Sequence, residues 1–415
     1  MANLILDRLR KKDKKGLFKD SRTSISYKTG FLPFDYMNGY LVQVRGDDES
    51  LLGEYASVGL TGGTFLTVVG KTGVAKTTWT IQVAYNMVKN YDNAFVLVYD
   101  LEQALNMTRI KAITGASQKE LRDKIVLKQA QNYIEDIFDA VMAIAKEKAD
   151  NPDDYKYKTG LKDEFGDDIV TYVPTVVVID SLPTLESSSS SSEMEGDMAA
   201  NRMAKKVTQF YSRLMPVIKE YNITVCAINH IKDKIEINPF SKTQAQVMYL
   251  KQNESVPRGH AALYYANNLL KFVSSGKFKE EDDGFDGFEI RVEILKSRTN
   301  KSGKACTLIY NQYTGFDPLL TLLRFAEDND LVEGRNPYRY FKGYKDIKFD
   351  SRKFHEEVAK NYKLKEILDT VCIPVLEEYL STAKPDQSEN TDVVDDATAK
   401  EELEESGILD KILED

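Results

Sequence analysis

Cysteine and histidine are scarce in this chain. There are three of each among 415 residues (Cys226, Cys306 and Cys372; His230, His260 and His355), and they form no close cluster. That excludes a disulfide framework and a structural zinc site of closely spaced ligands, and it suits a reducing compartment. No run of about 18 apolar residues occurs, so no helix is expected to span a membrane. The opening stretch MANLILDRLRKKDKK has too short an apolar run for a secretory signal, and its basic residues follow that run. No internal repeat is visible. The apolar fraction of 42% is enough for a sizeable core, and the length suits two or three domains.

The net charge of -9 is unevenly distributed. Residues 385–415 hold twelve acids against two lysines, so the remainder is close to neutral. The first twenty residues hold seven Lys/Arg against three acids. A basic arm (1–22), a near-neutral body and an acidic tail (385–415) with a disordered composition follow from this. A nucleic-acid partner would have to be met by a local patch, and the tail's charge could compete for it.

The body is patterned as an α/β protein. FLTVVG (65–70), AFVLVYD (94–100), TVVVID (175–180) and ITVCAIN (223–229) are short, apolar and β-branched, as buried strands are. Ile81, Ala84, Tyr85 and Val88 mark one helix face, and Met203, Val207, Phe210, Leu214 and Tyr221 another. Strands alternating with helices predict a mostly parallel central sheet covered on both faces, with ligands beyond the strands' carboxyl ends. RGDDES reads as a surface loop and residues 150–170 as a charged, turn-rich insertion. SSSSSS (187–192) reads as a flexible tract, and 231–258 as a connection without periodicity. A second α/β segment occupies 316–384.

GKTGVAKTT (70–78) departs from the phosphate-loop pattern G-x-x-x-x-G-K-[ST] only at Ala75. It follows a strand and opens a helix, as that loop requires. Gly70 begins the turn, and the N–H groups of Lys71, Thr72, Gly73, Val74, Ala75, Lys76 and Thr77 would wrap the phosphates of ATP. Thr78 continues the helix. Lys76 would reach the β- and γ-phosphates, and Thr77 with Asp180 would hold Mg²⁺. Ala75 is expected to be harmless provided its φ is negative. Glu102, just past the second strand, would orient or deprotonate the attacking water; the plainer alternative is a helix cap or a surface acid. His230, at the fourth strand's end, would touch the γ-phosphate; the alternative is a satisfied strand-end histidine.

Taken together, the chain resembles the RecA recombinases, and in particular their phage UvsX-like branch, over most of residues 25–384. KTGFLPFDYMNGY is similar to that family's opening segment, GKTGVAKTT to its phosphate loop and YDLEQALN to the strand bearing its catalytic glutamate. VVVIDSL is similar to its Mg²⁺ strand, GDMAANRMAKKV to the end of its first DNA loop and AINHIK to the start of its second. ILKSRT and GFDPLLTLLRFAEDNDLVEGRNPYRYFKG resemble its closing segments.

The resemblance implies a RecA-like P-loop ATPase core (23–315), a small C-terminal α/β segment (316–384) and a basic arm that docks on the next protomer. It also implies Mg²⁺-dependent ATP hydrolysis, and Lys296 and Arg298 acting on a neighbour's ATP. Arg109 would lie against the adenine. The function implied is strand exchange by a helical filament on single-stranded DNA paired with duplex DNA, in the cytoplasm of a bacterial or phage-infected cell. Mediator and single-strand-binding proteins would be partners. DNA would be gripped by Arg202 in the first loop, and in the second by Lys232, Lys234, Phe240, Lys242, Met248, Tyr249, Lys251 and Arg258, whose cations suit phosphates and whose apolar side chains suit bases. A DnaB-type hexameric helicase and a nucleotide-gated DNA-binding scaffold are the alternatives.

Overall fold

The computed structural model describes residues 24–382 except 47, 49, 131–132, 189–196, 234–244, 258 and 281–284. The basic arm and the acidic tail therefore lie outside the described residues, as do Lys234, Phe240, Lys242 and Arg258.

Nine strands form the central sheet: β1 (Phe65–Gly70), β2 (Phe95–Asp100), β3 (Ile125–Lys128), β4 (Thr175–Asp180), β5 (Ile223–His230), β6 (Asn268–Glu280), β7 (Phe285–Ser297), β8 (Ala305–Asn311) and β9 (Gly315–Asp317). Their spatial order is β9-β8-β7-β6-β1-β5-β4-β2-β3. From β6 to β3 every pairing is parallel, and β7, β8 and β9 extend the sheet antiparallel. The β-branched runs form the parallel part because both of their faces are covered.

Alternate residues point to opposite faces. Val68, Val98, Val178 and Ile228 pack with Trp79, Ile81 and Ala84 of α1 (Lys76–Val88). Leu97, Val177, Ile179 and Ala227 pack with Ile137 and Val141 of α3 (Ile134–Asp150), and with Val207, Phe210 and Leu214 of α4 (Asp197–Glu220). Between α1 and α3 lies α2 (Met107–Thr114), capped by Asn106.

The expected RGDDES loop joins the two strands of a hairpin, and the expected insertion is a second hairpin. RGDDES lies at the turn between Tyr40–Arg45 and Leu51–Ser57. Lys156–Lys162 pairs with Asp168–Tyr172, and this hairpin docks on the first. The Tyr55 hydroxyl donates to the Lys162 carbonyl at 2.9 Å, and the Arg45 N–H to the Glu164 carbonyl at 3.1 Å. In the insertion's first strand only Tyr157 and Thr159 are half-buried, too short an alternation to read as a strand. Residues 316–381 fall in the same compact unit as the sheet, with α6 (Pro318–Asp328) packed on β8.

The 231–258 connection, read from sequence as lacking periodicity, has anchored ends. Lys232–Asp233 pairs antiparallel with Glu254–Ser255, and the Asn229 amide donates to the Pro257 carbonyl at 2.8 Å. Leu250 and Val256 are buried with Val69, Leu263 and Leu295. Here α5 (Gly259–Tyr265) carries Leu263. Beneath them Lys271 of β6 donates to both Glu254 carboxylate oxygens at 3.0 and 2.7 Å, both side chains being under one-tenth exposed. Removing one partner of such a pair strands a buried charge. Glu254→Ala should lower unfolding free energy by about 3–5 kcal/mol, whereas Glu254→Leu with Lys271→Met should be close to neutral. Urea denaturation checks this; equal losses in both proteins would contradict the buried-pair account.

Candidate functional site

The parallel register sets side by side the strand ends that build the site. His230 pairs with Gly70, and Asp180 with Asp100. The loop GKTGVAKTT leaves β1 at Gly70, where a Cβ would stand 2.7 Å from the Phe272 carbonyl oxygen, so only glycine fits against β6. The loop ends at α1, whose N-cap, Ala75, offers no side-chain acceptor, leaving the helix's first N–H groups directed at the loop's hollow. Lys71, Thr72 and Gly73 are exposed, while Val74 is buried.

Ala75 sits at φ 56°, ψ 28°. This corrects the expectation of a negative φ: the loop must turn left-handed here to enter α1, and that is the reason glycine is usual at this position. A left-handed alanine carries about 1–2 kcal/mol of strain.

The Lys76 amine donates to the carbonyls of Gly70 (3.0 Å) and Lys71 (2.8 Å), so it is folded into the hollow. Burial lowers its pKa to about 8, opposed by the charges of Asp180 and Glu102. Thr77 Oγ1 donates to Asp180 Oδ2 at 2.6 Å. Burial raises the Asp180 carboxyl to about 6, Glu102 and Asp100 adding to the rise while Thr77 and Lys76 oppose it. A hydroxyl and a buried carboxylate 2.6 Å apart at a helix N-terminus form a hard-oxygen pair suited to Mg²⁺, and a cation there would relieve the carboxylate's burial.

Glu102 lies in the turn after β2. Asp100, fully buried, builds that turn by accepting from the N–H groups of Ala104 (3.2 Å) and Leu105 (2.8 Å) and from the Gln129 amide (2.8 Å). Glu102 Oε1 accepts from the Ser181 hydroxyl at 2.6 Å and lies 3.1 Å from His230 Nε2. Burial alone would raise the Glu102 carboxyl, but the Ser181 and His230 hydrogen bonds and the charges of His230 and Lys76 outweigh it and hold it below the usual range. A carboxylate so stabilised is a poor proton acceptor, so this geometry suits holding a water in line more than removing its proton.

The structure thus brings together Gly70–Thr78, Asp180, Glu102 and His230. The Lys71 side chain points away from the hollow and pairs with Asp233 of the connection at 2.9 Å. Arg109 donates to the carbonyls of Gln312 (2.7 Å) and Tyr313 (2.8 Å) and to the Tyr310 hydroxyl (3.3 Å). Lys296 and Arg298, at the end of β7, meet the carboxyl end of α5. Lys296 donates to the carbonyls of Leu263 (3.0 Å) and Tyr264 (2.6 Å), and Arg298 to that of Tyr264 (3.3 Å). Burial and then the charge of Arg298 lower the Lys296 pKa.

Arg202 is exposed on α4. Lys232, Met248, Tyr249 and Lys251 are exposed in the connection; Met248 is 86% exposed, whereas the Tyr249 ring leans on Gly303. Sequence reasoning missed Asp100, Ser181 and Gln129 as builders of the Glu102 site. The first two each end or follow a strand inside a quoted motif, and that position was the available signal. Among the described residues, no group of three or more His, Cys, Asp or Glu side chains could hold a metal ion, and no helix is long and apolar enough to cross a membrane.

No family model matches the chain. Among curated proteins it is similar to Protein RecA of Mannheimia haemolytica, 28% identical over 239 residues, covering 55% of this chain and 58% of the relative. It is also similar to Protein RecA of Francisella philomiragia, 29% identical over 180 residues, covering 41% and 44%. Protein RecA of Francisella tularensis subsp. novicida is 28% identical over 180 residues. The chain spans about half the length of the curated relatives it matches. The mostly parallel nine-stranded sheet and this similarity define a RecA-like α/β core.

Glycine is unstrained at φ 56° but loses more chain entropy on folding, so Ala75→Gly should raise unfolding free energy by about 0.5–1 kcal/mol. Urea titration measures it, and an unchanged or lower stability would contradict a strained loop.

Proposed function

We propose that the chain is an ATP-dependent recombinase of the RecA type, similar to the phage UvsX-like branch. In this reading it assembles head-to-tail on single-stranded DNA and pairs it with homologous duplex. The observation that carries this is Glu102. One carboxylate is held both by Ser181, next to the cation-suited Asp180, and by His230, where the 231–258 connection begins. In this reading the nucleotide site and the DNA-gripping segment are linked through one side chain. The similarity to bacterial RecA proteins supports the same reading.

In this mechanism the loop N–H groups and α1's N-terminus hold the phosphates of ATP, and Lys76 turns from the loop carbonyls to neutralise them. Thr77 and Asp180 would hold Mg²⁺, which would supply positive charge against the phosphates. Glu102 fixes the attacking water, with Ser181 and His230 fixing Glu102. His230, now bonded to Glu102 and leading into Lys232 and Asp233, would be the residue that reports a bound nucleotide to the connection. Lys232, Lys251 and the cations outside the described residues contact DNA phosphates, and Met248 wedges against bases. Lys296 and Arg298 complete the site of the adjacent protomer, making hydrolysis depend on assembly. Mediator and single-strand-binding proteins and a cytoplasmic setting belong to the same proposal.

ATP turnover with and without single-stranded DNA tests it, together with electron microscopy of the complex formed with a slowly hydrolysed ATP analogue. DNA should stimulate the wild type, and helical filaments should form. Glu102→Gln should bind ATP normally and turn it over about 100-fold more slowly or worse. Equal turnover in the two proteins would remove Glu102 from the mechanism. Closed rings in place of filaments would favour the helicase.

A further inference from the structure

Of the two cations, Lys296 lies at the end of β7 and Arg298 opens the turn that follows it, residues 297–304, which is tied down more tightly than a surface turn requires. Asn300 is the centre of the knot. Its amide N–H groups are shared among the carbonyls of Met37 (3.0 Å), Tyr379 (3.1 Å) and Gly39. Its side-chain oxygen accepts from the Lys301 N–H at 2.7 Å and from the Lys304 ammonium at 3.0 Å. Lys304 also donates to the Tyr379 carbonyl at 2.6 Å.

Met37 and Gly39 belong to the end of the helix Leu32–Asn38, and Tyr379 follows α7 (Lys363–Glu377). One side chain therefore binds the turn to the beginning and the end of the body at once. Ser297 and Thr299 repeat the attachment through Asn38, at 3.3 Å to its side-chain oxygen and 3.3 Å to its carbonyl. On its other side the turn meets the connection, because a Cβ on Gly303 would lie 2.9 Å from the Tyr249 ring.

Arg298 is exposed on the strand side of this knot, and its backbone N–H donates to the Asn267 carbonyl at 3.0 Å. A long cation acts on a reacting group only if its base is held still, because free rotamers dilute the productive geometry.

We propose that Asn300 is a positioning residue for the Lys296/Arg298 pair, clamping the 297–304 turn to the Leu32–Asn38 helix and to Tyr379 so that both cations are presented to a neighbouring copy of this chain in one geometry. The proposal rests on the reading of Lys296 and Arg298 as acting in trans. Asn300 itself touches neither nucleotide nor the reacting phosphate. Loss of the clamp lowers turnover at the neighbour's site and leaves nucleotide binding in its own loop intact.

The test uses full-length Asn300→Ala, Asn300→Asp, Arg298→Ala and Lys76→Ala. Asp keeps the acceptor for Lys301 and Lys304 but presents a carboxylate to three carbonyls, so it should behave as Ala does. Both Asn300 variants should bind ATP within about twofold of wild type and lose about tenfold or more of DNA-dependent turnover at saturating ATP. Mixed with Lys76→Ala protomers, which keep the clamp and both cations, each should regain turnover, as Arg298→Ala should. A merely structural defect would also damage the variant's own nucleotide site and would not be rescued.

Turnover within twofold of wild type, weakened ATP binding, or rescue of Arg298→Ala without rescue of the Asn300 variants in confirmed co-assemblies would each overturn the assignment alone. Failure to rescue Arg298→Ala as well would overturn the trans reading and the assignment with it. If Asn300→Ala does not fold, Asn300→Ser, which is too short to reach all three carbonyls, takes its place with the same outcomes.

Discussion

Everything at the candidate site depends on the register of four parallel strands. With Gly70 opposite His230 and Asp180 opposite Asp100, the ends of β1 and β5 come out level, as do those of β4 and β2, and the Ile179–Ala227 pairing carries β5 two residues past β4. The contacts Thr77–Asp180 (2.6 Å), Ser181–Glu102 (2.6 Å) and His230–Glu102 (3.1 Å) then follow from short side chains. A slip of one residue on any strand would turn its last side chain to the other face and break the set. The apolar alternation that fills both faces of the sheet therefore fixes the chemistry as well as the fold.

The connection after β5 is held unequally at its two sides. Against the sheet it has a buried ion pair, Lys271–Glu254, and the apolar packing of Leu250 and Val256. Against the phosphate loop it has Lys71–Asp233, whose side chains are 61% and 59% exposed, a pair worth no more than about 1 kcal/mol. A firm anchor beside a weak link is what a segment needs if a ligand at the loop is to move it without unfolding it. Under the proposed function, that ligand is ATP and the reporter is His230.

The four strands that carry the site were legible from sequence because they are short β-branched runs ended by Gly, Asp or His, whereas the other five strands of the sheet were not read as strands. The four expected strands match β1, β2, β4 and β5 to within a residue. The loop, Asp180, Glu102 and His230 were legible for the same reason, since each sits at or just past a strand end. What escaped was set by long-range contact. The sign of φ at Ala75 depends on how the loop enters α1, and the Asn300 knot joins residues separated by up to 263 positions. The 156–172 hairpin escaped because its first strand alternates over only four residues before becoming exposed throughout. The role of Asp100 escaped because a buried strand-end aspartate looks the same whether it binds a cation or builds a turn.

The central claim is that nucleotide occupancy reaches the connection through His230. Hydrogen exchange of residues 231–233 and 245–257 tests it most directly, read with and without Mg²⁺ and a slowly hydrolysed ATP analogue, in wild type and in His230→Ala. The account predicts that the ligand slows exchange there by about fivefold or more in the wild type and leaves it unchanged in His230→Ala saturated with the same ligand. Equal protection in the two proteins, or none in the wild type, would contradict it.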